Sequence, residues 1–451
     1  MKRKIYDALL AWKRNEADRN AILIDGARRV GKSWIAEKFA QNEYKAYLLI
    51  DFTKASRKIR ELFDEYLDDL DTFFRLLQAY SNVKLVEHDS VIIFDEVQNF
   101  PRAREAIKHL VADGRFHYIE TGSLISIRKN VKDILIPSEE IHVKMHPMDF
   151  EEFLWATGNE ARWDAIRTFF DKRQPLGPLI HKTMMDLFRQ YMIVGGMPQA
   201  VLRFIETNGD FIAVDKVKRG ILTLYRDGIH KHTGGLAYKV EAVFDTLPAA
   251  LSRHEKKFRP SDLSKDARLR EYEDALFWLK DAMVINPCYN STEPNVGLGL
   301  NLDRTTLKCY MGDTGLLVSH AFGENRNAVA DIHRRILFDK IELNKGLVVE
   351  NVVAQMLTAT GRDLYFFSRY DKCNANERME IDFLIAKSKI GRRKNVFPIE
   401  VKSGKNYTTI SLDKFRRKYR AYIDTPCVLH AGDIKIDDGI VYLPLYMTPF
   451  L

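Results

Sequence analysis

Cysteine is scarce in this chain. There are four in 451 residues, Cys288, Cys309, Cys373 and Cys427, and no Cys-x-x-Cys pair. That spacing excludes a disulfide framework and a cysteine-built zinc site, and it points to a reducing compartment, the cytoplasm. Long apolar runs are also missing. None approaches the ~20 residues that cross a bilayer, so no membrane partner is expected. The N-terminus, Met1-Lys-Arg-Lys-Ile-Tyr-Asp-Ala-Leu-Leu-Ala-Trp, is basic, but charge soon interrupts its apolar part. It therefore reads as a first amphipathic helix, not a signal peptide. No internal repeat or low-complexity tract stands out. Hydrophobic content of 46% and charged content of 29% are ordinary for a globular chain, and 451 residues suggest about three domains.

What is present begins at residue 26. Gly26-Ala27-Arg28-Arg29-Val30-Gly31-Lys32-Ser33 is a complete G-x-x-x-x-G-K-[ST] phosphate loop, followed by Trp34. Ala21 to Asp25 before it is an apolar run of strand length, and Ser33 to Ala40 after it has apolar residues at helical spacing. The backbone N–H groups of such a loop, and of the helix it opens, point at bound anions. Residues 26–34 are therefore candidate nucleotide contacts. Lys32 is placed to reach the β- and γ-phosphates, and Ser33 to ligate Mg²⁺.

A second signal lies downstream. Val91-Ile-Ile-Phe-Asp95-Glu96 is an apolar strand ending in two acids. It would deliver Asp95 to the metal and leave Glu96 to polarise a water, as the catalytic residue of ATP hydrolysis. The next apolar stretch, from Phe116, ends in Glu120-Thr121-Gly122-Ser123. Thr121 and Ser123 are candidate sensors of the γ-phosphate, or simply hydroxyl caps of a turn.

Strands are expected at 21–25, 46–51, 91–95, 116–121 and 141–145, alternating with helical patterns. That alternation predicts a parallel sheet with helices on both faces, residues 1–145. The acids Glu61, Asp64, Glu65, Asp68, Asp69 and Asp71 read as a solvated helix face. Residues 146–335 are expected to be mainly helical. Pro147 and Asp149 start a helix, and Gly195-Gly-Met-Pro198 breaks between two others. Residues 239–290 read as a winged helix-turn-helix, with Ser261 as a cap. Its third helix carries Glu271, Glu273 and Asp274, which phosphates would repel, so protein contact is favoured there over base reading.

Residues 336–451 hold a second constellation. Met379-Glu-Ile-Asp382-Phe-Leu-Ile-Ala and Val396-Phe-Pro-Ile-Glu400-Val-Lys402 look like two strands of one hairpin. Glu400 and Lys402 share a strand face. Asp382 lies 18 residues before Glu400, giving D-x17-E-x-K, the PD-(D/E)XK pattern. Glu350, on an upstream helical stretch, would complete the set. Glu350, Asp382 and Glu400 are thus candidate ligands of a second Mg²⁺, with Lys402 beside the attacking water. The same module without cleavage would bind nucleic acid or a protein. Residues 386–420 carry twelve lysines and arginines against two acids, whereas the whole chain has a net charge of +8. A patch of that size suits DNA, or it is a solvated helix face with a basic loop.

Taken together, the chain resembles the AAA-type ATPases of bacteria and archaea that carry a C-terminal domain of unknown function with a restriction-endonuclease-like end. The resemblance rests on Gly26–Ser33, Val91–Gln98, Thr121-Gly-Ser, Pro147-Met-Asp-Phe-Glu-Glu-Phe-Leu, Gly195-Gly-Met-Pro, Tyr310-Met-Gly-Asp-Thr-Gly-Leu-Leu, Gly346–Glu350 and Ile399–Gly404. It implies an α/β fold: a P-loop NTPase sheet, a helical and winged-helix middle, and a restriction-endonuclease-like α/β C-terminal domain. It also implies ATP and Mg²⁺ as ligands and a homo-oligomer as a plausible assembly. The family often has Gly-Arg shortly before its Pro-x-x-Phe-x-Glu-Phe segment. Here Ile134-Leu-Ile-Pro-Ser-Glu-Glu stands in that place, leaving Arg128 as the substitute candidate for an arginine finger. The expected function is a Mg²⁺-dependent ATPase coupled to a nuclease-like, DNA-interacting domain. The alternatives are a nucleotide-switched DNA- or protein-binding regulator with an inactive nuclease-like domain, and a protein-remodelling ATPase without a nucleic-acid role.

Overall fold

Two six-residue stretches, Ala-Ile-Leu-Ile-Asp-Gly and Ser-Val-Ile-Ile-Phe-Asp, have every residue buried. Such runs suit strands covered on both faces, which is how a parallel sheet sits between helices. The computed structural model describes residues 1–122, 138–295, 297–322, 326–337, 345–374, 377–386, 394–404 and 406–451. It divides into two units, residues 1–146 with 281–283, and residues 147–280 with 284–451.

The first unit runs α1 (Ile5–Asn15), β1 (Ala21–Gly26), α2 (Lys32–Glu43), β2 (Ala46–Asp51), α3 (Arg57–Glu65), α4 (Leu70–Ser81), β3 (Ser90–Asp95), α5 (Pro101–Asp113), β4 (His117–Gly122) and β5 (Glu140–Met145). The strands form one all-parallel sheet in the order β2-β3-β4-β1-β5. The five expected strands are therefore present within a residue or so of their predicted ends. β4 lies between β1 and β3, so the carboxyl ends of all three strands meet at one edge, where α/β sheets place ligands. Phe52, Phe63, Phe73, Phe94, Leu77 and Ile107 pack into a core against β2 and β3. The acidic stretch serves helix ends and solvent: Asp69 caps α4 by accepting from the Thr72 N–H at 3.2 Å, and Glu61 pairs with Arg57 at 2.6 Å.

The second unit continues with α6 (Phe150–Ala156), α7 (Glu160–Lys172), α8 (Pro178–Val194), α9 (Pro198–Glu206), α10 (Phe211–Thr233), α11 (Ala237–Ser252), α12 (Glu273–Asp281), β6 (Ile285–Ser291), β7 (Leu302–Met311), α13 (Thr314–Ala321), α14 (Arg326–Leu337), α15 (Lys345–Ala359), β8 (Leu364–Arg369), β9 (Met379–Ala386), β10 (Val396–Val401), α16 (Ile410–Lys418), β11 (Cys427–His430), β12 (Lys435–Asp437) and β13 (Ile440–Pro444). Its eight strands form a mixed sheet ordered β12-β13-β11-β10-β9-β8-β6-β7. Leu412 and Phe415 of α16 bury against Met379, Ile381 and Val428 of that sheet.

Asp149 starts α6 with a capping box. Its carboxylate accepts from the Glu152 N–H at 2.9 Å, and the Glu152 carboxylate accepts from the Asp149 N–H at 3.2 Å. The Gly195-Gly196 break is architectural. The Gly196 N–H donates to Asp313 Oδ2 at 2.6 Å, and a Cβ built there would fall 2.0 Å from the Met148 carbonyl oxygen. Asp313 also caps α13 through the Leu316 N–H at 2.8 Å. The Gly-Met-Pro and Gly-Asp-Thr-Gly motifs are thus halves of one packed contact. Gly196→Ala is expected to cost about 1–3 kcal/mol of stability, because the backbone must move to admit a methyl group. An unchanged urea midpoint would remove that reading.

The winged helix-turn-helix expected over 239–290 is not shown. Between α11 and α12 the described residues form an isolated antiparallel bridge from Lys257 to Lys308 and 3-10 turns at Pro260–Asp262 and Leu269–Glu271, with no α-helix. Residues 253–268 contain Pro260 and just three apolar side chains, Phe258, Leu263 and Ala267, too few to give a second helix a packing face. Nor is the hairpin that follows a free wing. β6 pairs antiparallel with β7 and parallel with β8, inside the eight-stranded sheet.

Candidate functional site

The phosphate loop joins β1 to α2, and backbone geometry explains its glycines. Gly31 sits at φ 97°, a conformation other residues rarely adopt, and opens α2. At Gly26 a Cβ would lie 2.4 Å from the Met145 carbonyl oxygen, so the strand end tolerates no side chain. Lys32 is buried, and its ammonium donates to the carbonyls of Gly26 at 2.9 Å and Ala27 at 3.1 Å. Burial pushes the Lys32 pKa below its ordinary value, against the opposing pull of Glu96, Asp95 and Asp25. Ala27 and Val30 are buried, Arg28 is half-buried, and Arg29 and Trp34 are exposed.

Two of the predicted hydroxyls meet on the predicted Asp95 carboxylate. Ser33 Oγ donates to Asp95 Oδ1 at 2.7 Å, and Thr121 Oγ1 donates to the same oxygen. The Glu96 N–H in turn donates to Thr121 Oγ1 at 3.2 Å. Glu96 itself is left-handed, at φ 53° and ψ 47°, which turns the chain sharply just after β3. Its carboxylate accepts from the Gln98 side-chain amide. The hydroxyl of Ser33 and the carboxylate of Asp95 form an all-oxygen donor set of the kind Mg²⁺ prefers, so these residues fit that ion. Ser123 and Arg128 lie outside the described residues.

Sequence reasoning missed Arg3. It is buried, and its guanidinium donates to the Val30 carbonyl at 2.8 Å and to the His146 carbonyl at 2.7 Å. It therefore tethers the phosphate loop from outside the motif. No pattern in the basic N-terminus distinguishes Arg3 from its neighbours Lys2 and Lys4.

In the second unit, β9 and β10 are antiparallel with Phe383 opposite Ile399, so one step further along the register Asp382 faces Glu400. Asp382 Oδ2 accepts the Val401 N–H at 2.8 Å. Glu400 is buried and lies 2.7 Å from Lys402 Nζ. Burial raises the Glu400 pKa to about 7; the nearby charge of Asp382 adds to this and Lys402 opposes it. Glu350, on α15, is buried and pairs with Lys256 at 2.7 Å. The tertiary structure therefore gathers all four predicted residues around one end of the sheet.

It also brings in lysines that the motif did not include. Lys308 of β7 is buried and lies 2.8 Å from Glu380, 3.7 Å from Asp382 and 3.9 Å from Glu350. The one signal for it was a lone lysine among Leu307, Cys309, Tyr310 and Met311, which are all buried. Tyr310 Oη donates to Glu350 Oε2 at 3.1 Å. Among the described residues no group of three His, Cys, Asp or Glu side chains is arranged to hold a metal ion. The predicted ligands face ammonium groups instead, so they do not fit Mg²⁺ as they stand.

The basic stretch 386–420 is partly compensated in the same way. Lys402 pairs with Glu400, Arg416 with Asp413 and Asp438, and Lys418 with Glu377. Lys387, Lys389, Arg392, Arg393 and Lys405 lie outside the described residues.

Three family models match successive parts of the chain. Residues 18–154 match an AAA domain, 185–327 a domain of unknown function (DUF8612), and 345–447 another domain of unknown function (DUF4143). The stretch that carries the phosphate loop is therefore the part similar to an AAA domain. No curated protein matches the chain. Among solved structures, the chain is similar to a Walker-type ATPase of Pyrococcus abyssi at 17% identity, covering 71% of this chain and 95% of that one, with a TM-score of 0.41. It is also similar to PCH-2 of C. elegans at 14% identity, covering 47% and 67%, with a TM-score of 0.28. A third similarity is to Cdc6p of Pyrobaculum aerophilum at 12% identity, covering 74% and 92%, with a TM-score of 0.25. No helix among the described residues is long and apolar enough to cross a membrane.

Proposed function

We propose that this AAA-domain protein is a Mg²⁺-dependent ATPase whose nucleotide state governs how a nuclease-like C-terminal domain engages DNA. The observation that carries the ATPase half is the meeting of Ser33 and Thr121 hydroxyls on Asp95, at the end of β3, with only β4 between it and the strand that leads to the Lys32 loop. Lys32 and the N–H groups opening α2 hold the β- and γ-phosphates. Ser33 and Asp95 would hold Mg²⁺, which offsets charge on the phosphate oxygens when bound. Glu96 takes a proton from the attacking water, and Thr121 holds the turn that aims it.

The DNA half is supported by the excess of twelve cations over two acids in residues 386–420. No cleavage step follows from the C-terminal carboxylates, because lysines face them, so the nucleotide-switched binding regulator is the form of this reading that the geometry favours. Its test is fluorescence anisotropy on a labelled duplex across a salt series, with and without an ATP analogue. The expected result is an affinity that falls linearly on a log–log plot as salt rises, shifts with the analogue, and survives Lys402→Ala. Plasmid incubated in parallel with Mg²⁺ or Mn²⁺ should stay uncut. Absence of DNA binding at low salt would leave the ATPase domain acting on a protein partner.

A further inference from the structure

The C-terminal centre interleaves acids and lysines. Glu350 faces Lys256 at 2.7 Å, Glu380 faces Lys257 at 3.9 Å, and Glu400 faces Lys402 at 2.7 Å. Lys308 Nζ stands between Glu380, Asp382 and Glu350, and over the Phe366 ring, 5.0 Å from its centroid. Glu255, 3.8 Å from Lys257, is paired in turn by Arg259 at 2.9 Å, so each carboxylate of the cluster has a cationic side chain beside it without any added ion.

We infer that Lys308 is the resident cation of this centre, standing where a divalent metal would otherwise be held and closing the site to one. Three carboxylate oxygens from three residues already surround its nitrogen. A divalent ion entering beside it would meet a fixed positive charge within a few ångströms, at the effective dielectric of a buried site. Removing the ammonium would leave Glu350, Glu380 and Asp382 facing one another with too little counter-charge. That arrangement costs stability and at the same time forms an oxygen-rich cation site.

The experiment needs no DNA and no ATP turnover, so its failure is separate from failure of the proposed function. Mn²⁺ uptake by the full chain, without nucleotide, is followed by electron paramagnetic resonance, alongside thermal unfolding. The wild type should bind no ion that Asp382→Asn removes, and chelation should leave its unfolding temperature unchanged. Lys308→Met should unfold at a lower temperature, bind one Mn²⁺ per chain, and regain much of its unfolding temperature when the ion is added. Asp382→Asn in the same variant should abolish both the binding and the rescue. The inference is overturned if the wild type binds an ion that depends on Asp382, or if folded Lys308→Met gains no Mn²⁺ site. It is equally overturned if Lys308→Met folds neither with nor without Mn²⁺, because the ion then cannot stand in for the lysine.

Discussion

Lys32→Ala is expected to lower ATP hydrolysis by at least about 10²–10³-fold, the usual cost of removing one preorganised charge from a transition state. The Lys32 ammonium is buried at the first residue of α2, and its contacts with the Gly26 and Ala27 carbonyls hold it over the loop. Burial lowers its pKa, so the charged form is costly there until a polyanion compensates it. That cost is the reason to expect a large effect. A charge kept out of water acts through a lower effective dielectric than one on the surface. Steady-state phosphate release, with circular dichroism to verify folding, is the measurement. Lys32→Arg keeps the charge but not the compact head group, and it should restore little turnover. Wild-type hydrolysis by Lys32→Ala would end the assignment of this loop as the phosphate site.

Glu96→Gln should separate binding from chemistry. Turnover is expected to fall by about 10²–10⁴-fold, the range for losing a general base, while affinity for a fluorescent ATP analogue stays within about threefold. The reason is local. Glu96 follows the buried end of β3 in a left-handed turn, so its carboxylate leaves the strand direction while Asp95 stays against Ser33. Its backbone N–H rests on Thr121 and its carboxylate on Gln98, and glutamine preserves the shape of both contacts. Loss of ATP binding along with turnover would instead make Glu96 a structural support of the loop. Unchanged turnover would move the base elsewhere.

What was legible in the sequence was mainly local. The runs at 21–26 and 90–95 are buried on both faces, so their apolar continuity announces strands, and the glycines between strand and helix announce the loop. The Asp149 capping box was legible for the same reason, since its partners lie three residues apart. Even the Asp382–Glu400 juxtaposition follows from a short hairpin whose register pairs Phe383 with Ile399. The winged helix-turn-helix is the reading that local pattern alone does not carry. The amphipathic patterns of α11 and α12 are real, but spacing between helices does not say whether the segment joining them can bury a face, and residues 253–268 form one 3-10 turn and no α-helix.

The sequence by itself determined the phosphate loop, the acidic strand end, and the alternation that builds a parallel sheet, because each is written in residues close together along the chain. Only the tertiary structure decided which strangers meet. It set β4 between β1 and β3, so that Thr121 reaches Asp95, and it tied Arg3 to Val30. It also carried β6 and β7 into the sheet of β9 and β10, bringing Lys308 to the carboxylates of an otherwise readable motif. A motif specifies the groups its chemistry needs. The charge that neutralises them is chosen by packing between residues far apart in sequence, and no spacing rule records it.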